Sequence, residues 1–377
     1  MNEGAVGSWR KQFPITQECV YMDHARLGPI PLDGVMALQK SVDIHYKEGS
    51  RGFGKLLDEA AKVRKEYAQL IGASPEEVAI SYDTTLTIST IANGIRWNEG
   101  DSVVIPEIEY PSNVFPWMNL GSRGVQVRRV PCKKGRVGID DLLDACDSKT
   151  RVIAVSLVQF SNGYRTDIER LGEACRARKI YLVVDGAQGV GAIALNVHQL
   201  PIDALGTQSF KWLLGPPGVG WLYVRKDLIN EVQPSIIGPF SVTQRNSFLD
   251  HRFELRSDAW RFESGVPNLH GIAAVGASIR LLAQVGISNV EKRIISLTDR
   301  LCDGLLSRGY SVIAPRETLQ EKSNIVVFRH NHHKTSACYE KLTAAKVIVT
   351  LIEDSLRVSP HFYNTKDEID QLLANLL

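Results

Sequence analysis

Short apolar runs alternate with helix-like segments over the first 270 residues of the chain. The runs have strand length, and the segments between them repeat apolar residues at helical spacing. Runs such as VIAVSLV and IYLVVD are almost continuously apolar, which is typical of strands covered on both faces. The pattern predicts a parallel sheet flanked by helices. The predicted strands are Ser102–Pro106, Val125–Val130, Arg151–Val158, Ile180–Val184, Ala204–Thr207 and Val219–Val224, and the predicted helices include Ile139–Ala145 and Ile168–Arg178.

The pattern changes from about Gly271 onwards. A long helix-like segment is followed by separate strands and by a terminal helix after Asn364. We therefore expect a large domain over residues 16–270 and a small α+β domain over residues 271–377, which the N-terminal segment 1–15 joins. The predicted strands of the small domain are Ser323–Arg329, Val347–Leu351 and Leu356–Ser359.

Composition and charge exclude several classes of partner. The formal net charge of +2 gives no reason to expect nucleic acid or an anionic membrane surface as a partner. The N-terminus has no apolar stretch of signal-peptide type, and nowhere do about 18 apolar residues run together. The six cysteines are scattered without a CxxC pair, so we expect reduced thiols, no metal site and a cytoplasmic location. A cluster of three histidines, at 330, 332 and 333, is read as a solvated loop.

The segment GPPGVG at 215–220 looks like a phosphate-binding P-loop but lacks its chemistry. A P-loop places a lysine and a hydroxyl residue directly after the glycines. Here Trp221 and Leu222 occupy those two positions, and the nearby lysine, Lys211, precedes the glycines. The function of Lys211 must therefore be sought elsewhere.

Lys211 and Asp185 both follow predicted strands, where ligand sites of open α/β sheets collect. The aromatic neighbours Phe210 and Trp212 can desolvate the amine of Lys211, which lowers its pKa and makes it a competent nucleophile. Asp185 closes a buried strand and needs a partner, and the protonated ring nitrogen of pyridoxal phosphate would supply one. The alternatives are a lysine that extends its charge into solvent and an aspartate that caps a helix.

Several separated motifs resemble the class V aminotransferase-fold enzymes, which include cysteine desulfurases, selenocysteine lyases, isopenicillin N epimerase-like proteins and kynureninases. The motifs are VVDGAQGVG at 183–191 and SFKWLLGPPGVGWLYV at 209–224, and the resemblance extends from YMDHA at 21–25 to RVSPHFYNT at 357–365. It implies the α/β architecture of fold type I of the pyridoxal phosphate-dependent enzymes. That architecture has a large domain with a mainly parallel sheet flanked by helices, a small C-terminal α+β domain and an active site at a homodimer interface.

The resemblance also assigns cofactor contacts. Lys211 matches the lysine that forms the Schiff base with pyridoxal phosphate, and Asp185 matches the partner of the pyridine nitrogen. Gln188 resembles the residue that binds the phenolic oxygen. Thr84 and Thr85 match the turn that holds the phosphate, and hydroxyl groups with free N–H groups at a helix start do form anion sites. A plain helix cap is the alternative for that turn.

Further positions concern the ring and the substrate. Tyr110 lies where many relatives have a histidine that stacks on the pyridine ring, and tyrosine can stack as well. Arg357 matches the arginine that binds the α-carboxylate of the substrate, although a surface ion pair is an alternative. Arg26 lies in a loop that borders the substrate pocket in relatives, and Arg51 resembles another active-site arginine of the family. Arg26 could bind a distal carboxylate or simply face solvent.

The chain departs from the family pattern at four places. Phe210 replaces a histidine common in desulfurases, so Ser209 and Gln208 are expected to take over its phosphate or cofactor contact. Val266 and Phe160 replace a threonine and an asparagine. The segment 347–357 holds no cysteine, although desulfurases carry their nucleophile there, and Cys338 precedes that segment on a predicted helix.

These residues predict a pyridoxal phosphate enzyme that acts on a small-molecule α-amino acid substrate. The expected reaction is that of a β-lyase of the C–S lyase type, an aminotransferase or an epimerase rather than of a true cysteine desulfurase. The alternatives are a desulfurase with an unusual nucleophile and a catalytically silent binding protein that retains the fold.

Overall fold

The computed structural model describes residues 3–244, 249 and 251–377. Most helices lie between strands of the sheet or in the C-terminal third of the chain. Within these residues the helices are α1 (Glu3–Arg10), α2 (Leu32–Glu48), α3 (Phe53–Ile71), α4 (Thr84–Gly94), α5 (Phe115–Met118), α6 (Ile139–Asp144), α7 (Ile168–Arg178), α8 (Leu269–Val285), α9 (Ile287–Leu306), α10 (Thr335–Ala344) and α11 (Lys366–Ala374).

The strands form one large and two small sheets. They are β1 (Val20–Tyr21), β2 (Val78–Ser81), β3 (Ser102–Pro106), β4 (Gln126–Val130), β5 (Thr150–Ser156), β6 (Tyr181–Asp185), β7 (Ala204–Gln208), β8 (Gly220–Val224), β9 (Tyr310–Val312), β10 (Val326–His330), β11 (Val347–Ile348), β12 (Thr350–Ile352) and β13 (Ser355–Val358).

The large sheet has the strand order β2-β8-β7-β6-β5-β3-β4. Strands β3 to β7 pair in parallel, as the sequence predicts. Strand β8 instead runs antiparallel to β7 and β2. The cause is the connection, because the loop 209–219 between β7 and β8 contains no crossover helix and returns the chain directly.

Both faces of the large sheet are buried, which explains its continuous apolar runs. Val104, Ile153 and Val184 pack into one hydrophobic cluster, while their neighbours Val103 and Val152 pack into another on the opposite face. Successive side chains of a strand point to opposite faces, so each strand needs apolar residues at every position. The mainly parallel α/β sheet therefore follows from the sequence pattern.

The C-terminal residues form a four-stranded antiparallel sheet in the order β12-β13-β10-β9. The predicted strand Val347–Leu351 is divided in two here. Its first part, β11, pairs in parallel with β1 near the N-terminus, and β12 pairs with β13. A third hydrophobic cluster joins this sheet to α9 and α11, with Leu301 and Leu373 among its members.

None of the helices among the described residues alone has the length and apolar composition needed to cross a membrane. The pair α8 and α9, bent by 79°, passes that test when the two are taken together. Helix α8 is largely buried in this structure, and core helices of that kind meet the same test.

Candidate active site

The ends of three strands bring the predicted catalytic groups to one edge of the large sheet. Asp185 is the last residue of β6, and its backbone pairs with Ser156 of β5 and Gly206 of β7. Lys211 is the third residue after β7. Because parallel strands end at the same edge, the amine and the carboxylate lie in one cleft.

Lys211 is 8% exposed, and its side chain lies in the protein interior. Burial lowers the pKa of its amine to about 8, with a smaller lowering from the charge of Arg357, while Asp185 opposes the shift. The amine lies 5.5 Å from the centre of the Tyr110 ring. A buried amine with this pKa is partly neutral near pH 8 and can act as a nucleophile or a base.

The loop around Lys211 is fixed by close backbone contacts. Gly28 donates a hydrogen bond to the carbonyl of Phe210 at 2.8 Å, and Leu214 donates one to the carbonyl of Lys211 at 3.1 Å. A Cβ atom on Gly28 would lie 2.1 Å from the Lys211 carbonyl oxygen. Only glycine therefore fits where the N-terminal loop crosses the lysine loop.

Asp185 is a buried carboxylate, and few groups of the protein offset the cost of burying its charge. Burial raises its pKa, and the charge of Lys211 and a 2.8 Å hydrogen bond from the backbone N–H of Ala187 oppose that rise. Among the described residues, Ala187 is its only hydrogen-bond donor. A cationic partner would stabilise this charge, as a protonated pyridine nitrogen does.

Arg357 of β13 reaches the same cleft from the small sheet. Its side chain is 6% exposed, and burial lowers its pKa. One terminal nitrogen lies 3.7 Å from the Asp23 carboxylate, and the other donates to the Phe160 carbonyl at 3.3 Å. Its Nε atom has no partner among the described residues. A buried guanidinium group that still has N–H groups free to donate is suited to bind a carboxylate ligand.

The predicted anion site is at the start of α4. The Asp83 carboxylate caps the helix by accepting a hydrogen bond from the Leu86 N–H at 2.8 Å. The buried Thr84 hydroxyl has no partner within the described chain. The Thr85 hydroxyl contacts that of Ser112 at 2.7 Å. An unpartnered hydroxyl beside free N–H groups of a helix start fits a phosphate.

Gln188 and Ser209 already hold protein partners. The Gln188 amide donates to the Ala25 carbonyl at 2.9 Å and accepts from the Trp212 indole at 2.8 Å. The Ser209 hydroxyl accepts from the Trp221 indole at 3.0 Å. One amide hydrogen of Gln188 and the hydroxyl hydrogen of Ser209 remain to be donated. Their cofactor contacts therefore stay predictions.

The structure does not bring every predicted residue into contact with Lys211. Arg26 is exposed and makes no ion pair within the described residues, although its charge acts on Arg357. Arg51 is exposed in the 3-10 turn Gly49–Gly52, and no contact within the described chain joins it to Lys211. The roles of both arginines stay predictions.

One buried charge in the cleft was missed by the sequence reasoning. Glu109 lies in the loop before Tyr110 and accepts hydrogen bonds from Ser156, Gln159 and Asn113. A glutamate in a loop normally faces solvent, so its residue type gave no signal. The sequence feature that could have indicated Glu109 is its position between a buried strand and Tyr110.

Known proteins resemble this chain in sequence and in fold. The family described as "Aminotransferase class-V" matches residues 20–372. The chain belongs to this family. A probable cysteine desulfurase of Methanothermobacter thermautotrophicus is 30% identical over 98% of this chain and 96% of its own length.

Two solved structures share the fold of this chain. An apo cysteine desulfurase from Thermococcus onnurineus NA1 has a TM-score of 0.88 at 24% identity and covers 98% of this chain and 96% of its own. A cystine C–S lyase, in complex with its product cysteine persulfide, has a TM-score of 0.90 at 22% identity over 96% and 98% of the two chains. The predicted fold type I architecture is thereby confirmed.

Membership also confirms the predicted enzyme class. Class V aminotransferases use pyridoxal phosphate, so this chain is a pyridoxal phosphate-dependent enzyme of that family. The cleft fits the cofactor, because it offers a buried amine, a buried carboxylate without a cation and an unpartnered hydroxyl at a helix start.

Cys338, the cysteine nearest in sequence to the desulfurase nucleophile segment, lies in the core of the small sheet. Cys338 of α10 is buried in the third hydrophobic cluster, and its sulfur lies 3.6 Å from the Tyr310 hydroxyl. The segment that carries the nucleophile in desulfurases is here a tight hairpin. Ile352 of β12 pairs with Ser355 of β13, which leaves two residues, Glu353 and Asp354, in the turn.

Proposed function

We propose that the protein is a C–S β-lyase, which removes a sulfur leaving group from the β-carbon of an α-amino acid with pyridoxal phosphate as cofactor. Lys211 would hold the cofactor through its amine and Asp185 through the ring nitrogen. Thr84, Thr85 and the start of α4 would bind its phosphate, and Tyr110 would cover its ring. When bound, the cofactor stabilises negative charge at the α-carbon of the attached amino acid.

The protein side chains then orient the substrate and move its proton. Arg357 would bind both oxygens of the α-carboxylate, which fixes the α-hydrogen toward the side of Lys211. Once the substrate amine has replaced Lys211 on the cofactor, the freed Lys211 amine would accept the α-proton, because its lowered pKa leaves it partly neutral at cellular pH. The electron pair left at the α-carbon forms a double bond to the β-carbon as the C–S bond breaks and a thiolate leaves. Water then releases pyruvate and ammonia.

The observation that supports elimination over desulfuration is the two-residue turn of the β12–β13 hairpin. A desulfurase needs a cysteine thiolate that reaches the substrate sulfur and accepts it as a persulfide. Residues 347–357 contain no cysteine, and Cys338 is enclosed by apolar side chains. A lyase needs no such acceptor, because the sulfur leaves with its own electron pair.

Product analysis tests this function directly. The holoenzyme is incubated with L-cystine, L-cysteine or L-alanine, with and without an α-keto acid. We expect pyruvate and a persulfide from cystine, without any need for the keto acid. Alanine as the product of cysteine would mean desulfuration, keto-acid-dependent turnover would mean transamination, and racemised alanine without pyruvate would mean epimerisation.

A lysine variant gives the matched control. Lys211→Ala should still fold but should form no pyruvate and should lose the visible absorbance of the lysine-bound cofactor. Lys226→Ala changes an exposed lysine of the same domain and should behave as the wild type. Pyruvate formation at the wild-type rate in Lys211→Ala would exclude the proposed catalytic role.

A further inference from the structure

Glu109 is a buried acid of the cleft that the proposed mechanism leaves without a role. Each of its carboxylate oxygens accepts two hydrogen bonds. Oε1 accepts from the backbone N–H of Ser156 at 2.7 Å and from the Gln159 amide at 2.5 Å. Oε2 accepts from the Ser156 hydroxyl at 2.5 Å and from the Asn113 amide at 3.0 Å. All four contacts come from donors, so the carboxylate is saturated as an acceptor.

These contacts join two parts of the cleft. Ser156 ends β5, and its backbone pairs with Asp185. Asn113 follows Tyr110 by three residues, and its own side chain accepts a hydrogen bond from the Trp117 indole at 3.0 Å. Tyr110 thus lies between two buried anchors, Glu109 and Asn113. Its own ring is 45% exposed and meets Phe160 only edge-on, at 5.0 Å.

Glu109 is also costly to bury, which argues that its position is used. Burial raises the pKa of its carboxyl to about 7, with a further rise from the nearby charge of Asp185. An apolar residue could fill the space without that penalty. What an apolar residue cannot do is attach the Tyr110 loop to the end of β5 through four directional contacts.

We propose that Glu109 is a positioning residue, which clamps the Tyr110 loop to the strand end beside Asp185 and so fixes the Tyr110 ring over the Lys211 amine. This inference rests on the proposed use of Lys211, Asp185 and Tyr110, but it does not depend on which bond of the substrate breaks. Glu109 acts through Tyr110 and need not touch the cofactor or the substrate.

The test is a double-mutant cycle between Glu109→Gln and Tyr110→Ala. Glutamine keeps the shape but turns one of its acceptor groups into a donor that faces the Asn113 or Gln159 amide. We expect Glu109→Gln to weaken binding of pyridoxal phosphate to the apoprotein about tenfold, measured by tryptophan fluorescence. It should also slow exchange of the α-proton of L-alanine in deuterium oxide about 100-fold, measured by NMR. In the Tyr110→Ala background the same change should cost less than about threefold in each measurement.

Two further variants separate positioning from folding. Glu109→Gln combined with Asn113→Asp restores a donor–acceptor pair and keeps an acceptor for Trp117, so it should recover most of the cofactor affinity. Glu77→Gln alters a buried carboxylate of the same domain, which is bound to Ser74 and His198, and should leave both measurements unchanged.

Different results would contradict the positioning role of Glu109 and the C–S lyase proposal. The positioning role would be overturned if Glu109→Gln kept the wild-type cofactor affinity and α-proton exchange rate. It would also be overturned if the double variant lost as much as the product of the two single losses, because the two residues would then act independently. A wild-type protein that binds the cofactor and exchanges the α-proton but forms no pyruvate would overturn only the C–S lyase proposal.

Discussion

At the scale of single residues, Lys211 shows that a functional group can oppose folding. Its pKa is about 8 in the folded protein and 10.5 for an ordinary lysine, so the folded state binds the proton less tightly. Below pH 8 this difference costs the apoprotein on the order of 3 kcal/mol. Between about pH 8 and pH 10.5 the unfolded chain holds more protons than the folded chain, so this cost declines as pH rises.

We therefore expect Lys211→Met to stabilise the apoprotein at pH 7, while it abolishes turnover. The gain should approach about 3 kcal/mol at pH 7 and shrink as pH approaches 10. Urea unfolding at pH 7 and 9.5 measures it, with Lys226→Met as the exposed control. An equal or lower stability of Lys211→Met at pH 7 would show that the buried amine carries no such cost.

Arg357 carries the second residue-scale prediction, because its geometry matters as much as its charge. Lysine at this position keeps the charge but cannot bind both oxygens of a carboxylate. We expect Arg357→Lys to lower kcat/KM for the amino acid about 100-fold, or about 3 kcal/mol. Cofactor affinity should be unaffected, because Arg357 contacts Asp23 and Phe160 rather than the predicted cofactor ligands.

The control for that change lies on the neighbouring strand. Arg329 of β10 is exposed and pairs with Asp354, so Arg329→Lys should leave kcat/KM at the wild-type value. An unchanged kcat/KM in Arg357→Lys would mean that another group binds the α-carboxylate, with Arg51 as the next candidate.

At the scale of elements, the sequence predicted best those strands and helices whose buried residues leave a clear apolar pattern. Strand β3 and helix α7 have the predicted bounds, because one is apolar throughout and the other is clearly amphipathic. Strand β2, Val78–Ser81, was missed. The direction of β8 and the division of 347–351 into β11 and β12 depend on which distant strand each one meets. Local pattern carries no such information.

The same limit applies to the site. Lys211 and Asp185 could be placed together, because strand ends of a parallel sheet share one edge. Glu109 could not, since its four hydrogen bonds come partly from β5, nearly 50 residues further along the chain. Nor could the protein partners of Gln188 be foreseen, because one of them, Ala25, lies in the N-terminal loop.

Helix α10 carries the element-scale prediction. Its Cys338 packs in the hydrophobic cluster of the small sheet and contacts the Tyr310 hydroxyl. We expect Cys338→Ala to lower the free energy of unfolding by about 1–2 kcal/mol through lost packing, without changing the products or their rate. Urea unfolding and product analysis measure the two effects. Loss of sulfur release with the cofactor still bound would identify Cys338 as a nucleophile and contradict the lyase proposal.

At the scale of the whole molecule, one face presents an unusual group of exposed apolar side chains. Helix α2 exposes Val35, Met36 and Tyr46, and the start of α3 adds Phe53. Met36 is 68% exposed and Tyr46 is 84% exposed. Val266, which lines a pocket together with Phe53, is exposed as well. Exposed apolar groups of this density mark protein–protein interfaces.

We propose that this face joins two copies of the chain in a homodimer. The face includes Val266, which the resemblance places where relatives have a threonine that reaches the partner subunit's phosphate, and it adjoins the turn Gly49–Gly52 that holds Arg51. A dimer would explain why Arg51 makes no contact with Lys211 within one chain, because its target would then be the cleft of the partner subunit.

A charge placed on the face tests this assembly. Met36→Glu combined with Tyr46→Glu should convert a dimer into a monomer in sedimentation equilibrium, because burying two carboxylates in an apolar interface costs several kcal/mol. Leu319→Glu, which alters an exposed leucine of the small sheet's surface loops, should remain dimeric. If Arg51 serves the partner's cleft, the monomer should also lose most of its pyruvate formation, and raising the protein concentration should restore activity in step with dimer formation. A monomeric wild type would contradict the homodimer, and a charged variant that stays dimeric would place its interface elsewhere. A fully active monomer would show that one chain completes the site alone.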